Sequence, residues 1–232
     1  MTNYSYIGSE LELFRAAKNW KDYYYHMIRR HLGPEVLEVG AGIGGTTKVL
    51  CRQPHERWLC LEPDAELIQG FKADAEIPGL CEIRQGTLAD LPADQRFDAI
   101  LYIDVLEHIE ADQAEVQRAA TYLKPGGVLI VLAPAHQWLF SPFDKSIGHY
   151  RRYNKAMLRQ LTTSDLTVVS LKYLDSVGLL ASLSNRWLKQ RMPTPGQIKL
   201  WDTWMVPISR RLDPLVGYEI GKSIVGAWQK TN

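Results

Sequence analysis

The amino-acid sequence predicts an α/β fold in which a doubly wound parallel sheet occupies residues 35–133. Two patterns support this prediction. Short, continuously apolar runs such as 97–103 are typical of strands that are buried on both faces of a parallel sheet. Segments compatible with amphipathic helices separate these runs, and a turn such as 124–127, Lys-Pro-Gly-Gly, ends a helix before the next strand.

The elements expected in this region follow one another in a regular order. Strands are predicted at 36–39, 57–62, 81–85, 97–103 and 128–133, with helices at 44–52, 64–75 and 111–123 between them. An amphipathic helix is expected ahead of them, at 10–31, and Gly33-Pro34 ends it. We therefore expect the segment 10–33 to form an N-terminal cap helix.

The second half of the chain is less regular. Residues 134–153 form a long loop, and loops of this length are often functional, so an active-site loop is expected here. Asn154 is expected to cap a helix that runs to about residue 162. A sixth strand is predicted at 166–171 and a last strand at 222–228, and the whole chain, 1–232, is assigned to a single domain.

A helical insertion is expected between these two strands, at 176–218. It holds six Lys or Arg against two Asp or Glu, together with Trp187, Trp201 and Trp204. Basic charge beside tryptophan is compatible with a lid over the ligand or with a peripheral contact to a membrane surface. An ordinary helical insertion packed on the sheet is the alternative.

Composition restricts the class of protein. A net charge of +1 gives no general attraction to nucleic acid, and no nucleic-acid partner is expected. The three cysteines lack the spacing of metal ligands, so no metal site is expected. With neither a secretory signal nor an apolar run of 18 residues in the sequence, we expect a cytoplasmic protein.

A glycine turn follows the first strand and is the most informative feature of the chain. Its glycines allow a sharp turn into a helix and a close approach by a ligand, so a nucleoside-containing cofactor is expected there. Gly40, Gly42 and Gly45 fit the dinucleotide spacing, which keeps a nicotinamide or flavin open. However, the carboxylate of Glu38 would repel a diphosphate and suit a sulfonium or an amino group. Glu62, which ends the second strand, can accept hydrogen bonds from ribose hydroxyls.

The chain resembles the class I S-adenosylmethionine-dependent methyltransferases over essentially its whole length. Four segments carry the resemblance in order, namely 38–44, Glu62, 104–108 and 124–127. The resemblance implies a Rossmann-like, seven-stranded sheet whose last strand is antiparallel, and 222–228 fits that strand. Residues 148–153 and 221–225 are similar to the type 11 and type 12 small-molecule branch, some members of which serve cell-surface glycan or natural-product pathways.

The resemblance also implies which residues hold S-adenosylmethionine. The predicted set is Glu38, Gly40, Gly42, Gly44, Glu62, Thr87, Leu88 and Asp104. Many members carry an acidic residue in the loop after the third strand, where the adenine amino group is recognised. This sequence has Thr87 at that position, so adenine recognition is expected to use backbone groups of Thr87 and Leu88.

His149 and His108 are the candidate catalytic bases, because an imidazole titrates near neutral pH and both lie at the carboxyl edge of the predicted sheet. Each is equally compatible with a structural histidine. Arg151 and Arg152 either bind an anionic group of the substrate or form a solvated pair. Tyr24 and Tyr150 complete the predicted substrate set, with a packed apolar face as the alternative for Tyr24.

These residues predict methyl transfer to a hydroxyl or carboxylate oxygen of a small-molecule or lipid- or glycan-linked acceptor, with nitrogen as the alternative atom. A base is needed only where the acceptor atom is protonated. Two other classes of protein remain open. One is a NAD-dependent oxidoreductase, and the other is a catalytically silent subunit that binds the cofactor and a partner. The oligomeric state does not follow from the sequence.

Overall fold

Seven strands form one mixed sheet in the computed structural model, which describes residues 10–188 and 193–231. The strands are β1 Glu35–Val39, β2 Arg57–Glu62, β3 Cys81–Gln85, β4 Phe97–Ile103, β5 Leu123–Pro134, β6 Leu166–Leu174 and β7 Ser223–Lys230. Their order across the sheet is β3-β2-β1-β4-β5-β7-β6. The first five are parallel, and β7 runs antiparallel to both β5 and β6. The predicted fold class, including the antiparallel last strand, is confirmed.

Helices cover both faces of this sheet. They are α1 Glu10–Arg15, α2 Lys18–Ile28, α3 Thr47–Leu50, α4 Ala65–Ala73, α5 Asp112–Tyr122, α6 Pro142–Ser146, α7 Lys155–Gln160, α8 Ser176–Leu188, α9 Pro195–Leu200 and α10 Val206–Leu212. Side chains alternate along each buried strand, so Leu101 faces the layer that contains α2 whereas Ile100 faces the layer of α5 and α7. The two apolar layers account for the continuously apolar strands of the sequence.

The N-terminal segment differs from the single helix predicted at 10–31. The helix is interrupted at Ala17, whose ψ of 73° is not helical, and this separates α1 from α2. The ammonium of Lys21 donates to the carbonyls of Phe14 and Arg15, at 2.6 and 3.3 Å. The carboxylate of Asp202 accepts the N–H of Trp20 at 2.8 Å. Tertiary contacts therefore satisfy the two helix ends at the break.

Backbone geometry explains why two further elements, α3 and β5, have boundaries that differ from the predicted ones. Helix α3 is shorter than the predicted 44–52, because Gly44 has a φ of +77° and the turn continues beyond it. Strand β5 begins at Leu123 rather than at residue 128, since Leu123 pairs with Phe97 and Val128 pairs with Ala99. The predicted turn at 124–127 is therefore an irregularity inside the strand.

The loop at 134–153 has local structure. It contains α6 and the 3₁₀ turn Gln137–Leu139, and a bridge between Ala135 and Tyr153 joins its two ends. Such a bridge restricts the positions that the residues between its ends can adopt.

The insertion at 176–218 is helical in its described part, as predicted. It consists of α8, α9, a π-helical turn at Trp201–Met205 and α10. Two buried acids hold it in place: Asp213 accepts the hydroxyl of Tyr23 at 2.7 Å, and Asp175 accepts the indole N–H of Trp201 at 2.7 Å. Residues 189–192 and the side chain of Trp187 lie outside the described part.

Candidate functional site

The carboxyl ends of the central parallel strands open into a cavity of about 1410 Å³. The glycine turn and Glu62 line one side of it, and residues that follow β4 and β5 line another. Helices α1 and α2 and the insertion complete the walls, with Trp20, Tyr24 and Trp201 among the lining residues. The cavity lies where ligands bind in open α/β sheets.

The glycine turn presents backbone to this cavity. Gly40 and Gly42 have φ angles of +70° and +56°, a region that favours glycine. A Cβ atom on Gly40 would lie 2.6 Å from Cγ2 of Val105, in the segment after β4. The turn thus allows the segment after β4 to pack against β1, which brings two predicted parts of the site together.

Glu62 both shapes the turn and faces the cavity. Its Oε2 accepts the N–H of Gly42 at 2.8 Å, and its Oε1 accepts the N–H of Asp64 at 3.0 Å. Burial raises the pKa of Glu62, although these two hydrogen bonds oppose the rise. A carboxylate held in this way has remaining lone pairs for ribose hydroxyls, as the sequence predicted.

Glu38 lies behind the turn and is absent from the cavity wall. Its Oε2 accepts the indole N–H of Trp58 at 3.0 Å and lies 3.9 Å from the thiol of Cys60. Burial raises the pKa of Glu38 to about 7. Its predicted direct contact with the cofactor is not supported by this geometry, and neither are those of Gly44 and Leu88, which also lie outside the lining.

Thr87 lines the cavity, but its N–H is already engaged. Both the N–H and the hydroxyl of Thr87 donate to Oδ2 of Asp90, at 2.7 and 2.8 Å. The Thr87 N–H is thus paired within the loop, and the use of backbone groups of Thr87 and Leu88 for adenine stays a prediction. Asp90 places a carboxylate in the loop after β3, three residues beyond the expected position. The capping pattern Thr-x-x-Asp was the sequence signal for it.

Asp104 lies at the carboxyl end of β4 with a φ of +54°, which is unusual for a residue other than glycine. Its N–H donates to the carbonyl of Leu132 at 2.8 Å. Burial raises the pKa of Asp104 to about 6, and the charges of His149, Lys21 and Lys222 oppose the rise. This uncommon backbone conformation of Asp104 thus occurs at a residue that lines the cavity.

Asp144 positions His149. The Nδ1 of His149 lies 3.0 Å from Oδ1 of Asp144, and Nε and Nη2 of Arg152 donate to the same carboxylate at 2.8 and 2.9 Å. Burial opposes ionisation of Asp144, but the hydrogen bonds from His149, Arg152 and Ser141 outweigh it and lower its pKa. Sequence reasoning missed Asp144, although its capping sequence, Ser141-Pro142-Phe143-Asp144, was a usable signal.

Glu107, His108 and His149 form a cluster on the cavity wall, and potential ligand atoms of the three lie within 4.8 Å of one another. The rings of His108 and His149 meet edge to face at a centroid distance of 4.5 Å. Burial raises the pKa of Glu107 well above its usual range, and the charge of Asp104 adds to the rise. Burial also lowers the pKa of His108 to about 4, so its imidazole is neutral at pH 7. This cluster differs from the sequence-based expectation of no metal site.

The predicted substrate residues separate into two groups. Tyr24 and Arg152 line the cavity, whereas Tyr150 and Arg151 do not. Tyr150 is 51% exposed. The guanidinium of Arg151 binds Asp112 and donates to the backbone carbonyl of Glu110 at 2.8 Å. The Arg151 side chain is thus directed to the segment after β4, and a substrate role for Tyr150 and Arg151 stays a prediction that their positions outside the cavity lining do not support.

Two lysines of the cavity wall were not predicted. Burial lowers the pKa of Lys21 to about 8 and also lowers the pKa of Lys222. The Nζ of Lys222 lies 3.8 Å from the ring centroid of Trp201. Both lysines face the cavity that Asp104 also lines, and no sequence pattern indicated their convergence.

The fold and this cavity define a class of protein, an α/β protein that binds a nucleoside-containing ligand at the carboxyl edge of its sheet. Comparisons with known proteins narrow the class. Residues 37–131 match the family described as a methyltransferase domain. A relative of Mycolicibacterium smegmatis, described as a probable S-adenosylmethionine-dependent methyltransferase, is 32% identical over 146 residues, covering 62% of this chain and 52% of that protein.

Curated relatives include two enzymes of quinone pathways. The chain is 30% identical over 158 residues to a demethylmenaquinone methyltransferase of Tropheryma whipplei, covering 63% of this chain and 60% of that protein. It is 31% identical over 111 residues to a ubiquinone biosynthesis O-methyltransferase of Bradyrhizobium, covering 46% of this chain and 42% of that protein. The chain thus spans at most about 60% of the length of these relatives.

Solved structures share the fold at low identity. The putative methyltransferase of Haloferax volcanii, solved in complex with the Trm112 activator, superposes with a TM-score of 0.62 at 16% identity, over 97% of this chain and 98% of that one. The N-methyltransferase NodS of Bradyrhizobium japonicum, bound to S-adenosylhomocysteine, gives a TM-score of 0.59 at 12% identity, over 94% and 89% of the chains. No helix in the described ranges is both long and apolar enough to cross a membrane.

Proposed function

We propose that this protein methylates an oxygen of a small molecule with an apolar body, and that the oxygen belongs to a hydroxyl group. One observation carries the proposal. A single cavity joins the glycine turn and Glu62 to the cluster of Glu107, His108 and His149. A site of this kind holds a cofactor at one end and an acceptor at the other.

The cofactor end consists of residues that fit S-adenosylmethionine. Gly40 and Gly42 offer backbone without a side chain, and Glu62 offers a carboxylate for the ribose hydroxyls. The cofactor supplies a methyl group on a positively charged sulfur. Asp104, the carboxylate on the cavity wall between this end and the cluster, favours a positively charged ligand.

The acceptor end consists of the cluster and the aromatic wall. Its imidazoles and carboxylates are groups that interact with a hydroxyl and with the proton that it must lose. The transfer breaks the hydroxyl O–H bond, whose proton passes to a group of the cluster or to water, and it breaks the carbon–sulfur bond. It forms a carbon–oxygen bond from the oxygen's electron pair, and sulfur keeps the pair of the broken bond. Proximity and alignment of cofactor and acceptor in the cavity supply much of the acceleration.

The size and lining of the cavity support an acceptor with an apolar body. Small-ligand pockets usually measure about 300–1,000 Å³, so a cavity of about 1410 Å³ has room for a cofactor and an acceptor together. Trp138, Phe140, Leu200 and Trp201 line it. The relatives described as a demethylmenaquinone methyltransferase and a ubiquinone biosynthesis O-methyltransferase agree with an aromatic or lipid-linked hydroxyl compound as acceptor.

Titration with S-adenosylhomocysteine tests the cofactor end. We expect saturable binding that weakens in Glu62→Ala by about 1–3 kcal/mol, because charge-assisted hydrogen bonds are lost. Glu66→Ala is the matched control, since Glu66 is an exposed acid on α4 and its variant should bind as the parent does. Equal affinity in both variants would remove Glu62 from the site, and binding of NAD alone would overturn the proposal.

A methyl-transfer screen tests the acceptor end. Phenols, catechols and enols with apolar substituents should accept the methyl group, whereas amines with the same substituents should not. Transfer to amines alone would assign the site to nitrogen. Binding of S-adenosylhomocysteine without transfer to any acceptor class would favour the silent cofactor-binding subunit.

A further inference from the structure

We propose that Glu107, His108 and His149 bind one divalent metal ion on the wall of the cavity. The ion-binding part of this proposal stands on the geometry of the three side chains alone. Its second part, that the ion holds the acceptor hydroxyl, rests on the function proposed above.

The first observation is the buried carboxylate of Glu107. This side chain is 0% exposed, and neither of its oxygens accepts a hydrogen bond from another residue in the described ranges. A buried carboxylate without partners costs several kcal/mol, roughly, unless it is neutralised or paired with a cation. The Nε2 of His149 lies 3.8 Å from Oε1 of Glu107, which is too long for a hydrogen bond. A cation between these groups would satisfy the carboxylate.

The second observation is the orientation of His149. Asp144 lies against Nδ1 of this ring and is itself held by Arg152. A hydrogen bond from Nδ1–H to the carboxylate leaves the lone pair of Nε2 directed towards Glu107. A carboxylate that orients the far nitrogen of a histidine is the common arrangement behind a metal-bound imidazole. The backbone N–H of Tyr150 also donates to the carbonyl of Glu107 at 2.8 Å, which joins the loop to the segment after β4.

The third observation is the spacing of the cluster. Potential ligand atoms of Glu107, His108 and His149 lie within 4.8 Å of one another. Two ligands that are each about 2.1 Å from one ion lie at most about 4.2 Å apart. Neighbouring ligands in octahedral or tetrahedral coordination lie about 3.0–3.4 Å apart, so side-chain rotations that move these atoms by roughly 1–2 Å would bring all three onto one ion. Two histidines and one carboxylate leave further coordination positions open, here towards the cavity.

The donor set indicates the class of ion. Imidazole and carboxylate together suit Mn²⁺, Fe²⁺, Co²⁺ or Zn²⁺ better than Ca²⁺, which prefers oxygen ligands alone. An acceptor hydroxyl that occupies an open coordination position of the ion would lose its proton to water more readily than a free hydroxyl, because the ion stabilises the oxyanion. The acceptors favoured by such a site are compounds with two neighbouring oxygens that chelate the ion. The two histidines are then ligands, and neither of them is the base.

Metal binding to the full chain tests this proposal directly. After dialysis against a chelator, the protein is titrated with Mn²⁺ alone, with and without S-adenosylhomocysteine, and free Mn²⁺ is followed by electron paramagnetic resonance. We expect one saturable site per chain whose affinity falls by more than about tenfold in Glu107→Gln. Glu110→Gln is the matched control, because Glu110 is an exposed acid three residues away. Its variant should bind Mn²⁺ as the parent does.

The possible results distinguish binding of the ion from a role of the ion in methyl transfer. No saturable Mn²⁺ or Zn²⁺ site, or equal affinity in Glu107→Gln and Glu110→Gln, would overturn the metal proposal. Should Glu107→Gln fail to fold, His149→Asn provides the same comparison. If the parent protein does not bind S-adenosylhomocysteine, the proposed function is refuted, whereas the proposed metal site is not. Full methyl transfer in excess chelator would refute the role of the ion in catalysis.

Discussion

Glu62 is the last residue of β2 and Glu38 is the last but one of the neighbouring parallel strand β1, yet of the two only Glu62 reaches the cavity. Glu38 is buried behind the glycine turn, where Trp58 and Cys60 contact its carboxylate. The pKa of Glu38 is raised to about 7 because burial disfavours its charged form more than these contacts favour it. A carboxyl group with that pKa makes the stability of the fold depend on pH.

The direction of this dependence follows from proton counts. The pKa of a glutamate in the unfolded chain is about 4.3. Between this pH and the pKa of about 7 in the folded protein, the folded state binds more protons than the unfolded state does. Stability from this group is therefore highest at low pH and falls as the pH rises through 7. In Glu38→Gln this contribution is absent.

Urea unfolding of both proteins from pH 4 to pH 8 measures the effect. As the pH rises from 4 to 8, the free energy of unfolding of Glu38→Gln should increase relative to that of the parent protein by on the order of 1–3 kcal/mol. Parallel profiles for the two proteins would show that Glu38 does not titrate differently on folding. Taking the difference between them removes the contribution of every other ionisable group.

The sequence predicts a position at the cavity where a strand end fixes the place of a residue. Glu62, Gly40 and Asp104 directly follow or end predicted strands, and all three line the cavity. It does not predict the positions of Tyr150 and Arg151, which are set by contacts with residues more than forty positions away, such as that between Arg151 and Ile109. Long-range contacts of this kind leave no periodic pattern in the sequence.

At the scale of elements, the start of α2 also depends on a long-range contact that the sequence does not reveal. Its N-cap residue, Ala17, makes no side-chain cap, and the free N–H groups are bound by Asp202 of the insertion. The apolar periodicity continues through the break, so the sequence predicts one helix. A distant carboxylate thus takes the place of a local cap.

Replacement of this carboxylate should destabilise the docking of α2. In Asp202→Ala we expect a loss of about 1–2 kcal/mol in the free energy of unfolding, the size of a lost N-cap. Thr203→Ala is the control, because Thr203 is an exposed neighbour on the same helical turn. Urea denaturation measures both. A loss in Asp202→Ala no larger than that in the control would show that the contact adds nothing to stability.

For the whole molecule, one sheet includes strands from both halves of the chain, which supports the proposal that residues 1–232 form a single domain. The insertion adds an apolar surface at the cavity. Leu200 lines the cavity and is 52% exposed, and Trp204 nearby on the chain is 65% exposed. We propose that the tail of a lipid-linked acceptor, or the surface of a membrane that holds it, lies against this region.

Two acceptors with one reactive group and tails of different length test this surface. In Leu200→Ser the KM for the long-tailed acceptor should rise about three- to tenfold, since apolar contact is lost, while the short one is unaffected. Leu215→Ser is the control, because Leu215 is 81% exposed and does not line the cavity. An equal change for both acceptors in Leu200→Ser would assign Leu200 a structural role.

The position of β7 has a consequence for synthesis of the protein on the ribosome. Among the strands of residues 10–188 and 193–231 this strand comes last, yet it lies between β5 and β6, and within those ranges β6 pairs only with β7. Strands β1 to β5 can assemble while later residues are still being added, but β6 must wait for β7. Lys222 and Ser223, which line the cavity, arrive at the same late stage. A nascent chain therefore completes its cavity only after β7 has emerged.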